Sequence, residues 1–400
     1  MSQVLHLQEP PPRHGAAAPR GIALWQLGFR PFYLLASSFA ALSVPLWALQ
    51  YAGLLPRPYL DGPMGHAHEM LFGFVLAVIV GFLFTAGRNW SGRPTPSGAS
   101  LAALAALWLA ARVLALTPWG WAAAAANTGF VLAAAAGLGH ALVGAGNRRN
   151  YFFIGLLLLL AAASLWVHLA LLGVAALPAF AGIQLGLDVV LFIMVVMAGR
   201  VVPMFTQNGV PGARPRRHAL LERLALGAVL LLAVADLGSL PAAALALLAV
   251  LAAMLHLARW GLWQPWTTLR TPLVWVLHAA YLWIPLHLLL RAGAALGWNS
   301  GSLATHALTV GAAGGLIIGM MTRTARGHTA RPLRADGVDT ACYALVLGAA
   351  VVRVGLPLLQ PQAVVSAALA SALLWSVGFG LYAWRYAPIL VRPRLDGRPG

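Results

Sequence analysis

The chain has 400 residues, of which 60% are hydrophobic and only 9% charged, against about 25% charged in an ordinary soluble domain. Apolar segments of about 20 residues recur along nearly the whole length, each sufficient to cross a hydrocarbon core about 30 Å thick, and no stretch remains for a soluble domain. The formal charge of +17 is carried entirely by arginine, placed mainly in short loops between apolar segments. That distribution is what membrane topology requires, and base-stacking aromatics in a polar context are missing, so a nucleic-acid partner is excluded.

Taken in chain order, a tail over 1–26 holds Pro10, Pro11 and Pro12 with Arg13 and Arg20. The apolar run after it exceeds a signal-peptide core and lacks a small-residue cleavage site, so it is expected to stay as the first helix. Spans are expected at 27–54, 66–87, 99–117, 119–143, 151–177 and 179–205, then at 218–238, 241–260, 271–295, 302–323, 338–358 and 362–388. The fold class is therefore all-α, a polytopic bundle of about twelve transmembrane helices over 27–388, with a second tail at 389–400. Alternate loops are basic: Arg88 and Arg93, Arg148 and Arg149, Arg214 with Arg216 and Arg217, Arg259 and Arg270, Arg323 to Arg334, then Arg392 to Arg398. The intervening loops hold almost no arginine, so both termini are expected to be cytoplasmic and the protein to lie in a bacterial inner membrane.

Cys342 is the single cysteine, which excludes internal disulfides and thiolate-rich metal sites. Any metal must use His, Met or carboxylate. Of twelve histidines, His6, His14 and His218 fall in solvated segments, and His140 and His256 lie near inner helix ends, where snorkelling satisfies them. His66, His68, His168, His287 and His306 instead lie within roughly 2 to 14 Å of the outer boundary on four different helices. Five imidazoles at one depth favour metal or haem ligation over isolated packing roles. An i, i+2 pair is separated by about 200° on a helix, so His66 and His68 serve different faces and different centres. His278 is a weaker candidate, placed to pair with Tyr281.

Arg112, Arg291 and Arg353 lie toward outer helix ends and are suited to hold carboxylates such as haem propionates, with snorkelling to lipid phosphate as the alternative. Glu69 follows His68 directly and is placed to orient a ligand or carry protons; Asp188 is set within a span and either relays protons or pairs with an arginine. On the inner side, Arg200–Gly209 and Met321–Arg331 read as polar loops. Gly311, Gly315 and Gly319 give the tenth helix a close-packing face.

Several segments carry a family resemblance: Gly28-Phe-Arg-Pro-Phe32, Gly65-His-Ala-His-Glu-Met70, Asn89-Trp-Ser-Gly-Arg-Pro94, Asn150-Tyr-Phe-Phe153, Leu165-Trp-Val-His168, Arg200-Val-Val-Pro203, His306-Ala-Leu-Thr-Val-Gly311, Met321-Thr-Arg323 and Gly327-His-Thr329. In this order they resemble the NnrS family, and the likeness runs from about residue 24 to 390. Ala330 stands where the family pattern leads one to expect glycine. The resemblance implies a haem- and copper-containing bacterial membrane protein of the nitric oxide response, linked to denitrification and nitrosative stress. It supports His66, His68, His168, His306 and His328 as metal ligands, while His287 rests on depth alone. Nitric oxide or a related small nitrogen oxide is the implied substrate, with an electron donor such as a cytochrome or quinol. Two other readings stay open: a proton-coupled secondary transporter, and a haem-bearing sensor or assembly factor without turnover.

Overall fold

The computed structural model describes residues 21–54, 62–174, 176, 178–238 and 240–398. His6, His14, Arg13 and Arg20, with most of the expected N-terminal tail, lie outside the described residues. The described residues fold into twelve continuous helices: α1 Phe29–Tyr51, α2 Gly62–Ser91, α3 Ala99–Leu114, α4 Gly120–Gly144, α5 Phe152–Leu171 and α6 Ala179–Gly209. The second half comprises α7 Ala219–Ala235, α8 Ala242–Leu262, α9 Pro272–Ala295, α10 Gly301–His328, α11 Gly337–Leu359 and α12 Val364–Val391. Among the described residues there is no strand.

A helix stands at each of the twelve expected positions. Ten of the helices are long and apolar enough to cross a membrane alone, whereas α3 has 16 residues and α7 has 17. At 1.5 Å per residue these two rise only about 24–26 Å, so they fit where neighbours or a locally thinned bilayer make up the difference. Two inner segments differ from expectation. Arg200–Gly209 and most of Met321–Arg331 are helical extensions of α6 and α10 rather than loops, and Arg323 of one lies over the Phe205 ring of the other at 3.6 Å. The cation–π contact gives both extensions a reason to continue past the apolar run.

Successive helices run antiparallel and pack side by side, and α12 returns against α1 to close the ring. The two chain ends meet there: Ala23 N–H donates to the Val391 carbonyl at 2.7 Å, and the Arg30 guanidinium donates to the Leu390 and Arg392 carbonyls. We call this the terminal end of the bundle and the opposite one the distal end. The basic loops all lie at the terminal end. Between 67% and 78% of the apolar stretch is buried in α2, α6, α9 and α10, against 33–50% in the other six long helices. The four form the interior, and the rest present leucine, valine and tryptophan outward, as a surface facing lipid requires.

Small residues set how closely the interior helices approach. A Cβ on Gly315 would come within 2.6 Å of the Ala280 Cβ, one on Gly319 within 2.8 Å of Val276, and Gly311 faces Trp283, so the glycine stripe of α10 receives α9 along its length. Three helices also widen into π turns: Glu69–Val75 in α2, Ala307–Gly314 in α10 and Val351–Gly355 in α11. All three lie in the distal half, and such turns cluster at functional sites because they rotate the helix face and free carbonyls. The freed Gly73 carbonyl accepts the Trp108 indole N–H at 3.0 Å.

Ala330, just beyond α10, has φ +56°. A left-handed alanine costs about 1–2 kcal/mol, partly offset by glycine's greater chain entropy, so Ala330→Gly raises stability by roughly 0.5–1 kcal/mol in thermal unfolding. Gly315→Leu overfills the α9–α10 crossing and costs about 1–3 kcal/mol or more. Gly129→Leu, at a position with open space around it, leaves the unfolding temperature nearly unchanged.

Candidate functional site

The distal half contains a cavity of about 710 Å³, walled by α1, α2, α6, α9, α10, α11 and α12 and mostly apolar. Its polar groups are few and convergent: His66, His287, His306, Arg291, Arg353, Gln184, Asp188 and Asp236 line it. The volume and lining are those of a small-molecule or cofactor site.

Backbone partners fix the ring orientation of two of the histidines. His306, the last residue before the π turn of α10, has Nδ1 2.6 Å from the Ser302 carbonyl one turn back, and His287 has Nδ1 2.7 Å from the Ala304 carbonyl. Only a protonated Nδ1 can donate to a carbonyl, so in each ring Nε2 keeps its lone pair. His66 stacks on Trp47 with ring centroids 3.9 Å apart and an interplanar angle of 21°, and the titratable groups within electrostatic reach of it are His306 and Arg353. His66, His287 and His306 thus meet in one cavity from three helices.

His68 faces away from that cavity, as its angular separation from His66 demands. It is fully buried and meets His168 of α5, also fully buried, with ring centroids 4.7 Å apart in an edge arrangement. Glu69 Oε1 lies 3.0 Å from His68 Nδ1 and 2.7 Å from Arg112 Nη1. The carboxylate therefore fixes the His68 tautomer and leaves Nε2 as the free acceptor. Among the described residues, His68 Nε2 and both nitrogens of His168 are buried without any hydrogen-bond partner. Unmet buried nitrogens cost free energy in an apolar setting, and two of them on facing imidazoles form a donor pair suited to a borderline or soft metal ion. No group of three or more His, Cys, Asp or Glu side chains closes on a common point among the described residues.

The arginines divide in a way the sequence does not reveal. Arg112 does not reach the cavity, because Glu69 and the Asn127 amide oxygen take up its guanidinium. Arg291 is engaged by Asp236 and lies 3.9 Å from Asp188. Arg353, beside the cavity and 7% exposed, has no hydrogen bond or ion pair among the described residues. An unpartnered, nearly buried guanidinium on a cavity wall calls for an anionic group in that cavity.

Two further histidines sit elsewhere. His328 lies 22 residues along α10 from His306, about 33 Å away at the terminal end, against the Phe29 ring and Arg394. It does not join the distal group. His278 bonds Thr206 Oγ1 at 2.8 Å rather than Tyr281. Tyr281 pairs instead with His256 at 2.6 Å and with Arg259, so His256 is fully buried rather than satisfied by snorkelling. Asp236, Gln184 and Asn127 were missed by sequence reasoning; each is ordinary in composition, and only the packing of distant helices brings it to the site.

These features define a polytopic helical membrane protein with a histidine- and arginine-lined distal cavity and a separate buried imidazole pair. The NnrS protein family model matches residues 23–394, and the chain belongs to that family. No curated protein matches the sequence. Two of the segments that carry the family likeness lie at the site, the π turn following His66 and His68 and the His306 turn, and two others meet toward the terminal end in the Arg200–Asn150 contact at 2.9 Å.

Removing Arg112 leaves Glu69 without its cation inside the bundle. Arg112→Met is expected to destabilise by roughly 3–5 kcal/mol in thermal unfolding in detergent, and Arg112→Met with Glu69→Gln to recover much of the loss. Equal destabilisation in the single and double variants would show that the pair is not what holds this corner.

Proposed function

We propose that this protein binds haem in the distal cavity and copper at the His68–His168 pair, and that it binds and turns over nitric oxide or related iron-nitrosyl species. The observation that carries the reading is the preset state of the imidazoles. His287 and His306 each spend Nδ1–H on a backbone carbonyl and keep Nε2 for the cavity, where Arg353 still lacks an anion. The residues fit both groups. Haem requires an imidazole ligand and cations for its carboxylates, and copper accepts imidazole nitrogens readily.

When bound, haem iron supplies a coordination position for a small nitrogen oxide and an electron for its conversion. The chain does the rest. His66, His287 and His306 are the ligand candidates, and Arg353, with Arg291 nearby, would hold the haem carboxylates. Glu69, fixed by Arg112, keeps His68 in the tautomer that presents Nε2, while the apolar remainder of the wall excludes water. Electrons come from a donor such as a cytochrome or quinol, and the reading places the protein in denitrification and nitrosative-stress defence.

The arginine-rich loops at the terminal end support a cytoplasmic location for both termini, in a bacterial inner membrane with the cavity toward the outer side. A second reading draws on the carboxylates Asp188 and Asp236 in the cavity wall. Buried carboxylates and an arginine beside a cavity also describe a proton-coupled transporter.

The test is a reduced-minus-oxidised absorption spectrum with metal analysis of purified protein, repeated for single alanine variants of His66, His287, His306 and His168. Loss of haem bands in a cavity variant, with copper retained, is the expected result, and His168→Ala is expected to lose copper and retain haem. Glu69→Gln weakens copper binding by about 10–100-fold. Fully metallated expression that yields neither haem nor copper would overturn the proposal in favour of the transporter.

A further inference from the structure

Among the described residues, the carboxylates are matched to guanidiniums with one exception. Glu69 has Arg112, Glu222 has Arg259 and Arg217, Asp336 and Asp339 share Arg326 and Arg385, and Asp396 has Arg394. Asp188 and Asp236 have Arg291 alone between them. A single amide completes the arrangement: Gln184 Nε2 lies 3.1 Å from Asp188 Oδ1 and 3.1 Å from Asp236 Oδ2.

Two carboxylates bound to the same nitrogen and facing one cation inside a bundle are disfavoured as a doubly ionised pair, because the second charge has no counter-ion of its own among the described residues. Their positions differ usefully. Asp188 sits within α6, about 14 Å from its distal start, and is nearly buried. Asp236 directly follows α7 at the distal end and is half-buried. Both line the cavity. The other titratable or charged groups on that wall are Tyr51, His66, His287, His306, Arg291 and Arg353, and none of the three histidines hydrogen-bonds either carboxylate.

We infer that Asp188 and Asp236 hold one exchangeable proton between them and deliver it to the occupant of the distal cavity, with replacement from the distal side. The step is a plain acid–base transfer: the O–H bond of the shared carboxylic acid breaks, the proton passes to a basic atom of the occupant, and the carboxylate left behind is held by Arg291 and Gln184. Solvent at the distal surface then reprotonates the pair through Asp236. The delivery role rests on a cavity reaction that consumes protons, as reduction of a nitrogen oxide does, while the shared proton stands on the geometry alone.

Infrared spectroscopy of the purified full-length protein without added haem tests the pair independently of its cofactor. A carbonyl stretch of protonated carboxylic acid is expected at pH 7. It should shift on transfer to D₂O under native conditions, and it should vanish in both Asp188→Asn and Asp236→Asn, since either variant leaves one carboxylate for one arginine. Asparagine keeps the size of the side chain, and circular dichroism confirms that each variant folds. Absence of the band in the wild type, or its persistence in either variant, overturns the shared proton. A band that does not exchange with D₂O means a sealed structural acid and overturns the delivery role. Haem-free protein that passes these tests but never binds haem would leave the pair standing and remove only the nitrogen oxide reading.

Discussion

Hydrocarbon supplies no hydrogen-bond partners, so each polar side chain that these helices carry into the membrane must find its partner on another helix, and the resulting pairings decide how the helices sit. At the distal end Glu69 of α2 ties His68 to Arg112 of α3, and Asn127 of α4 closes the group. At the terminal end Arg259 of α8 bridges Glu222 of α7, the Val195 carbonyl of α6 and Tyr281 of α9. Near the chain ends Arg326 and Tyr386 converge on Asp339, which also caps α11 through Asp336. Each cluster joins three or more helices. The groups left over, among them His68 Nε2, the His168 ring and Arg353, are therefore conspicuous.

Helix α2 is the element around which these groups are arranged. His66 and His68 open it two residues apart, and the helix runs through the interior, so one histidine reaches the cavity and the other the pocket toward α5. A buried central helix converts a short sequence motif into two separate sites. The π turn after His68 changes the local repeat, and it sets Gly73 against Arg112 and Trp108, where a larger residue would not fit. The π turns of α10 and α11 do the same beside His306 and Arg353.

The charge pattern carries a second level of organisation. Arginine loops gather at the terminal end, where solvent and lipid headgroups solvate them, while Arg112, Arg259, Arg291 and Arg326 each answer a specific acid, Arg30 is held by backbone carbonyls, and Arg353 has neither among the described residues. Excess cation at Arg353 and excess acid at Asp188 and Asp236 occupy the same cavity. An apolar space bordered by one unpaired positive group and one surplus carboxylate suits an occupant that is anionic at one edge and consumes protons at its centre.

The sequence by itself determined the class, the twelve spans, their antiparallel order and the grouping of basic loops, because apolar run length and arginine position act locally along each segment. The opposed directions of His66 and His68 and the glycine face of α10 were equally legible, since helical periodicity does not depend on distant residues, whereas the left-handed backbone of Ala330 showed only in the structure. Only the tertiary structure decided which polar groups meet. Arg112, Arg291 and Arg353 read alike as outer-end arginines, yet one is taken by Glu69, one by an aspartate pair and one by nothing. His68 finds His168 a hundred residues away, and Asp236 joins Asp188 from another helix. Helix-to-helix placement inside the bundle is a property of packing among all twelve elements, and no spacing within one of them encodes it.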